Sequence, residues 1–208
     1  MTSPHPRRRA MAAALAAVTF TMAAPVVAQA AAPAKAPSAA QQRSPQAALA
    51  TITWTLQKVS NPTPDQQDAY NRITAAMNAA VARYNNLSDL GKNITVQYNP
   101  GVPTADGNIN GTIRFGNRAY MTERTALHEI AHTIGVGTSS RWAALTSGGT
   151  WRGAEATRLV RQYDGASATL SAGGGHFWPY GLNYDNEFSQ TAADRHVNIV
   201  AAMVRDGL

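Results

Sequence analysis

The stretch Thr122-Glu123-Arg124-Thr125-Ala126-Leu127-His128-Glu129-Ile130-Ala131-His132-Thr133-Ile134-Gly135 decides how this chain is read. Thr122 is a good N-cap residue, Glu123 suits the positive end of a helix dipole, and Gly135 stands where a helix commonly stops. Leu127, Ile130, Ala131 and Ile134 supply a buried stripe. His128 and His132, four residues apart, share a face beside that stripe. Both imidazoles can therefore reach one ion, with Glu129 alongside to move protons. The chain after its first thirty residues has four His and four Glu, so chance would yield such a string with an expectation of roughly 0.002. The string predicts a helix-borne zinc site with hydrolytic chemistry.

Upstream, residues 50 to 58 alternate, with Ile52, Trp54 and Leu56 on one face and three threonines on the other, which predicts a strand. Pro62-Thr63-Pro64-Asp65 then opens a helix to about Tyr84, with Ile73, Met77, Ala80, Val81 and Tyr84 at helical spacing. It is expected to back a sheet. Residues 94 to 98 and 112 to 115 read as two more strands, separated by a loop rich in Asn, Gly, Pro and Asp. Downstream, helices are expected at 154 to 163 and 192 to 204, and the glycine- and aromatic-rich segment 173 to 188 reads as a loop completing the site. The fold class is α+β, with a small mixed or antiparallel sheet, a backing helix, the motif helix and a mostly irregular C-terminal half.

The chain opens with Arg7, Arg8 and Arg9, a mostly apolar run from Met11 to Ala24, and Ala28-Gln29-Ala30, the pattern of a cleavable secretory signal over 1 to 30. Residues 31 to 46, mostly Ala, Pro, Ser and Gln, read as a disordered linker or short propeptide. Residues 47 to 208 are long enough for one domain with its own core. Without the three leader arginines, the 18 basic residues become 15 against 12 acidic, a balance of +3. That is too mild and scattered to argue for nucleic acid. The chain has no cysteine, which excludes disulfides, thiolate zinc ligands and a thiol nucleophile. A secreted monomer without a membrane span is expected.

Thr112 to Gly135, a short strand leading into a helix with HExxH, resembles the zincin metallopeptidases. The string His128-Glu129-x-x-His132-x-x-Gly135 is similar to the longer metzincin pattern HExxHxxGxxH. That resemblance implies a zincin-like fold, His128 and His132 as zinc ligands, Glu129 as general base and Gly135 as the turn after the helix. It departs at Thr138, where the pattern has His or, in some branches, Asp. A hydroxyl is a weak zinc ligand, so the third ligand is sought elsewhere. His176, an imidazole in a glycine-rich segment, is the leading candidate. Asp185 is the alternative, and would make the site similar to the aspzincin type. Glu155, 23 residues beyond His132, looks like the gluzincin arrangement but also suits a first helical turn. Glu187 is a further ligand or an acceptor that orients a ligand His. His196, on an apolar helix face, reads as structural or surface.

With three protein ligands, zinc would activate a water for attack on an amide, with Glu129 moving the proton. Tyr180 or Tyr184 would hydrogen-bond the oxyanion. The resemblance implies that Thr112 to Phe115 is an edge strand that pairs with an extended peptide or protein substrate. The alternative is a non-catalytic module, in which Trp151, Phe177, Trp178, Tyr180 and Tyr184 form an aromatic platform for a sugar or cell-wall polymer.

Overall fold

β1 (Ile52–Gln57) alternates as expected, with Ile52 buried and Thr53, Thr55 and Gln57 exposed. The computed structural model describes residues 51–208. The expected signal peptide (1 to 30) and linker (31 to 46) lie outside the described residues, as do positions 47 to 50. α1 (Pro64–Leu87) starts at a capping box, in which Thr63 Oγ1 accepts from Gln66 N at 3.2 Å and Gln66 Oε1 accepts from Thr63 N at 2.9 Å. Its buried side carries Ile73, Met77, Ala80, Val81 and Tyr84, the stripe read from the sequence. β2 (Lys92–Tyr98) runs parallel to β1, which is the pairing a helical crossover such as α1 permits.

β3 (Ala105–Gly107) and β4 (Thr112–Phe115) complete a four-stranded mixed sheet of order β1-β2-β4-β3, with β4 parallel to β2 and antiparallel to β3. This corrects one expectation. Thr112–Phe115 is an internal strand, and the edge beside the motif helix is β3, within a segment read as loop. Ala-Asp-Gly has neither alternation nor β-branched content, so its strand character comes from pairing with β4 rather than from propensity.

α2 (Glu123–Ile134) is the motif helix. Thr122 Oγ1 accepts from Thr125 N, and Gly135 ends the helix at a φ of 138°. It packs against β3 and β4, and α1, α2 and α5 (Gln190–Arg205) pack on one another. Arg83 of α1 bonds Glu123 at 2.8 Å and also pairs with Asp194 and Gln190 of α5, tying the three helices together. Between α2 and α5 lie α3 (Trp142–Leu145), α4 (Ala154–Asp164), and an antiparallel hairpin of β5 (Ser171–Gly173) and β6 (His176–Trp178). The C-terminal half is thus more regular than expected. The hairpin turn is Gly174-Gly175, with φ of 57° and 83°, values only glycine takes without strain. Along β6, Phe177 is buried while His176 and Trp178 lie on the other, more open face. Among the described residues no helix is long and apolar enough to cross a membrane.

α4 has a glycine, Gly153, at its N-cap and borrows its cap from the far end of α5. Asp206 accepts from Glu155 N at 2.7 Å, Ala156 N at 3.0 Å and the buried Trp151 Nε1 at 2.9 Å. A Cβ on Gly153 would sit 2.2 Å from the Asp206 carboxylate, so the two residues specify each other. Asp206→Ala removes a cap and orphans a buried indole N–H, and is expected to destabilise the chain by ~2 kcal/mol. Urea unfolding of the variant beside the wild type checks it, and an unchanged midpoint would show that water replaces the carboxylate.

Candidate metal centre

Successive turns of α2 place His128 and His132 side by side, their rings 4.7 Å apart and at 87°. His128 Nδ1 donates to Gly181 O at 2.8 Å, and His132 Nδ1 donates to Val136 O at 2.7 Å. A carbonyl only accepts, so each Nδ1 carries the proton and each neutral ring has its lone pair on Nε2. The two Nε2 atoms are 3.1 Å apart. Two lone pairs at that distance repel unless a cation lies between them. Zn–N bonds at the tetrahedral angle require a nitrogen–nitrogen separation of about 3.3 Å, close to what is found.

His176 completes the set. Its ring stacks on His128 with centroids 5.2 Å apart and lies 5.3 Å from His132. One ligand nitrogen from each of the three imidazoles falls within 4.8 Å of the others, so they could hold a metal ion. Glycines bring the hairpin this close. A Cβ on Gly137 would meet Gly175 O at 2.2 Å, and Gly137 has a φ of 67°. The backbone after α2 and the hairpin turn therefore touch without side chains between them. Gly107 plays the same part on the other flank, where a Cβ would lie 2.5 Å from Glu129 O, so β3 rests against the helix backbone.

A cleft of about 610 Å³ surrounds the imidazoles, with walls from β3, α2, the hairpin turn and the segment 183 to 185. Glu129 lines it with 5% of its surface exposed. Burial, then the charge of Asp106, push the Glu129 carboxyl up to about 8, while Arg124 opposes the shift. Burial is also the main cause that holds His128 well below, and His132 below, the usual imidazole range. Both are thereby kept in the neutral form that ligates metals.

The other expected site residues fall differently. Tyr184 lines the cleft and is 63% exposed. Tyr180 does not line it: its hydroxyl donates to Asp164 at 2.6 Å and pairs with Arg195. These partners, and not the cleft where an oxyanion would form, surround its hydroxyl, and its backbone is left-handed (φ 67°). Asp185 is at the cleft rim, where it pairs with Arg124 Nε at 2.7 Å, and is outside the histidine cluster. Glu155 pairs with Arg158 on α4 and does not line the cleft. Glu187 Oε2 accepts from Asn183 N at 2.8 Å rather than from a ligand histidine. Thr138 donates to His132 O at 2.6 Å, closing the end of α2. Trp151 and Phe177 are buried core residues, so the aromatic platform expected from five residues does not exist as a single surface.

His196 is structural and fully buried. Its Nδ1 donates to Tyr180 O at 2.7 Å, and its Nε2 lies 3.1 Å from both the Tyr84 hydroxyl and Leu127 O. Burial takes it down to about 4, so it is neutral and spans α1, α2 and the loop that meets His128. Reading by residue type missed Arg124, which is four residues before His128 on the same helical face. It also missed the carbonyls of Gly181 and Val136, which no side-chain pattern can reveal. Comparisons of the chain with protein-family models, with curated proteins and with solved structures gave no match.

Proposed function

We propose that this chain is a zincin-type, zinc-dependent metallopeptidase, carried outside the cell by its leader, with His128, His132 and His176 as ligands and Glu129 as general base. The observation that carries this reading is the pair of Nε2 lone pairs facing each other at 3.1 Å, with both Nδ1 protons tied to carbonyls and a third imidazole beside them. An all-imidazole set suits zinc better than magnesium or calcium, which prefer oxygen ligands. Three protein ligands also leave a position free, as catalytic sites require.

Zinc held by His128, His132 and His176 would supply Lewis acidity in the cleft. Glu129 accepts the proton of the attacking water and passes it to the amine that leaves. Its carboxyl is buried in the wall of the cleft that the two helix imidazoles also line, which fits a group that takes up a proton there. β3, the free edge of the sheet, offers backbone donors and acceptors along the cleft, so an extended peptide can add to it as a strand. Tyr184, at the open rim, is placed to contact substrate or oxyanion. A module that only binds has no use for a buried carboxyl at position 129, and that reading has also lost Trp151 and Phe177 to the core.

Elemental analysis of the purified protein, paired with cleavage of a generic protein substrate before and after chelation, tests the proposal. One zinc per chain and activity that disappears and returns with the metal are expected. A metal-free chain after zinc supplementation would reject it.

A further inference from the structure

Residues 180 to 183 present four consecutive carbonyls to side chains of two helices. Tyr180 O accepts from His196 of α5 at 2.7 Å, and Gly181 O accepts from His128 of α2 at 2.8 Å. Leu182 O and Asn183 O both accept from Arg124 Nη1 of α2, at 2.8 and 3.4 Å. The segment is not a relaxed one. Tyr180 and Leu182 have φ of 67° and 56°, a region that a non-glycine residue keeps only where its surroundings impose it. Gly181 between them has no room for a side chain, since a Cβ would lie 2.0 Å from Phe177 O.

Arg124 is 6% exposed and one helical turn before His128. A guanidinium there would repel a dication bound by the histidines and pays a desolvation cost, and its ion-pair partner among the described residues, Asp185, is itself exposed. The Arg124 charge favours the ionised form of Glu129, but that alone does not call for its bonds to two backbone carbonyls. We propose that Arg124 is a positioning residue for the metal centre. By holding the carbonyls of Leu182 and Asn183, it fixes Gly181 O against His128 Nδ1, and so keeps the His128 lone pair on Nε2, facing the metal. This rests on the metal-centre reading above and adds a residue that touches neither metal nor substrate.

The test compares wild type, Arg124→Met, Arg124→Lys and Asp185→Asn by two measurements on the whole protein. The first is zinc affinity by competition with a chelator. Arg124→Met is expected to bind about 10–100-fold more weakly, the usual effect of losing a partner that orients a ligand. Arg124→Lys should recover only part of this, because one ammonium cannot reach both carbonyls and Asp185 in a planar fork. Asp185→Asn should change affinity by less than Arg124→Met. The second is nitrogen NMR of the metal-free protein, which reads the His128 tautomer directly. Nδ1–H is expected in the wild type and a tautomer mixture in Arg124→Met. Asp206→Ala, which acts at the start of α4 rather than on residues 180 to 183, should leave the His128 tautomer unchanged. Arg124→Met, or Arg124→Lys should the first not fold, with wild-type zinc affinity and tautomer would overturn the proposal. A wild type that binds no zinc yet shows the tautomer shift would reject the metallopeptidase reading while keeping the role of Arg124 towards His128.

Discussion

Glu129→Gln is expected to leave one metal ion per chain and to reduce peptide cleavage by roughly 10²- to 10⁴-fold, the usual range for losing a general base. The amide matches the carboxyl in shape but cannot take a proton from water, and the three imidazoles are untouched. The same variant carries a second, independent expectation. Burial pushes the Glu129 carboxyl from an ordinary 4.5 up to about 8. Between those values the folded metal-free chain holds a proton that the unfolded chain has released. Its stability contribution is therefore full below pH 4.5 and is lost as pH rises towards 8, by about 1.4 kcal/mol per pH unit. Glutamine has no such slope. In chelator-treated protein, the stability of Glu129→Gln relative to wild type should increase by ~3 kcal/mol between pH 4.5 and 7. Urea midpoints at the two pH values measure it. A constant difference would mean that water reaches the carboxyl, and the case for a buried base would fall.

His176→Ala is expected to cost more zinc affinity than the roughly 10–100-fold that accompanies loss of an orienting partner, because it removes a ligand. Cleavage should vanish with the metal at ordinary zinc concentrations. Asp185 supplies the contrast. It is at the same cleft but outside the imidazole cluster, so Asp185→Ala should still retain zinc. If the two variants behaved the other way round, the carboxylate would be the third ligand and the hairpin histidine a bystander. Elemental analysis after dialysis, combined with chelator titration, separates the cases.

Much of the scaffold was readable from residue patterns. α1 and α2 have caps and apolar stripes strong enough to announce themselves, α4 and α5 have the stripes, and β1, β2 and β4 alternate. His128, Glu129 and His132 were readable because a helix converts spacing directly into geometry. What was hidden depends on partners distant in sequence. β3 is a strand only because β4 pairs with it, and its role as the sheet edge was wrongly given to β4. The β5–β6 hairpin was read as a loop, although two glycines in a row flanked by short segments are a recognised hairpin turn. The left-handed φ of Tyr180 and its pairing with Asp164 and Arg195 have no signature in residue type. The carbonyls that orient His128 and His132 are backbone atoms, common to every residue, so only the folded chain could show them.

The alternation along β6 makes the centre depend on parity. His176 and Trp178 face one way and Phe177 the other, and the connection from α2 to this strand is anchored by the contact of Gly137 with Gly175. A slip of β6 by a single residue in its pairing with β5 would aim the phenyl ring at the two helix imidazoles and drive the histidine into the core. Every ligand would still be encoded, yet the centre would be gone. The glycine run that holds the two strands in register is therefore as necessary to the cluster as the imidazoles themselves.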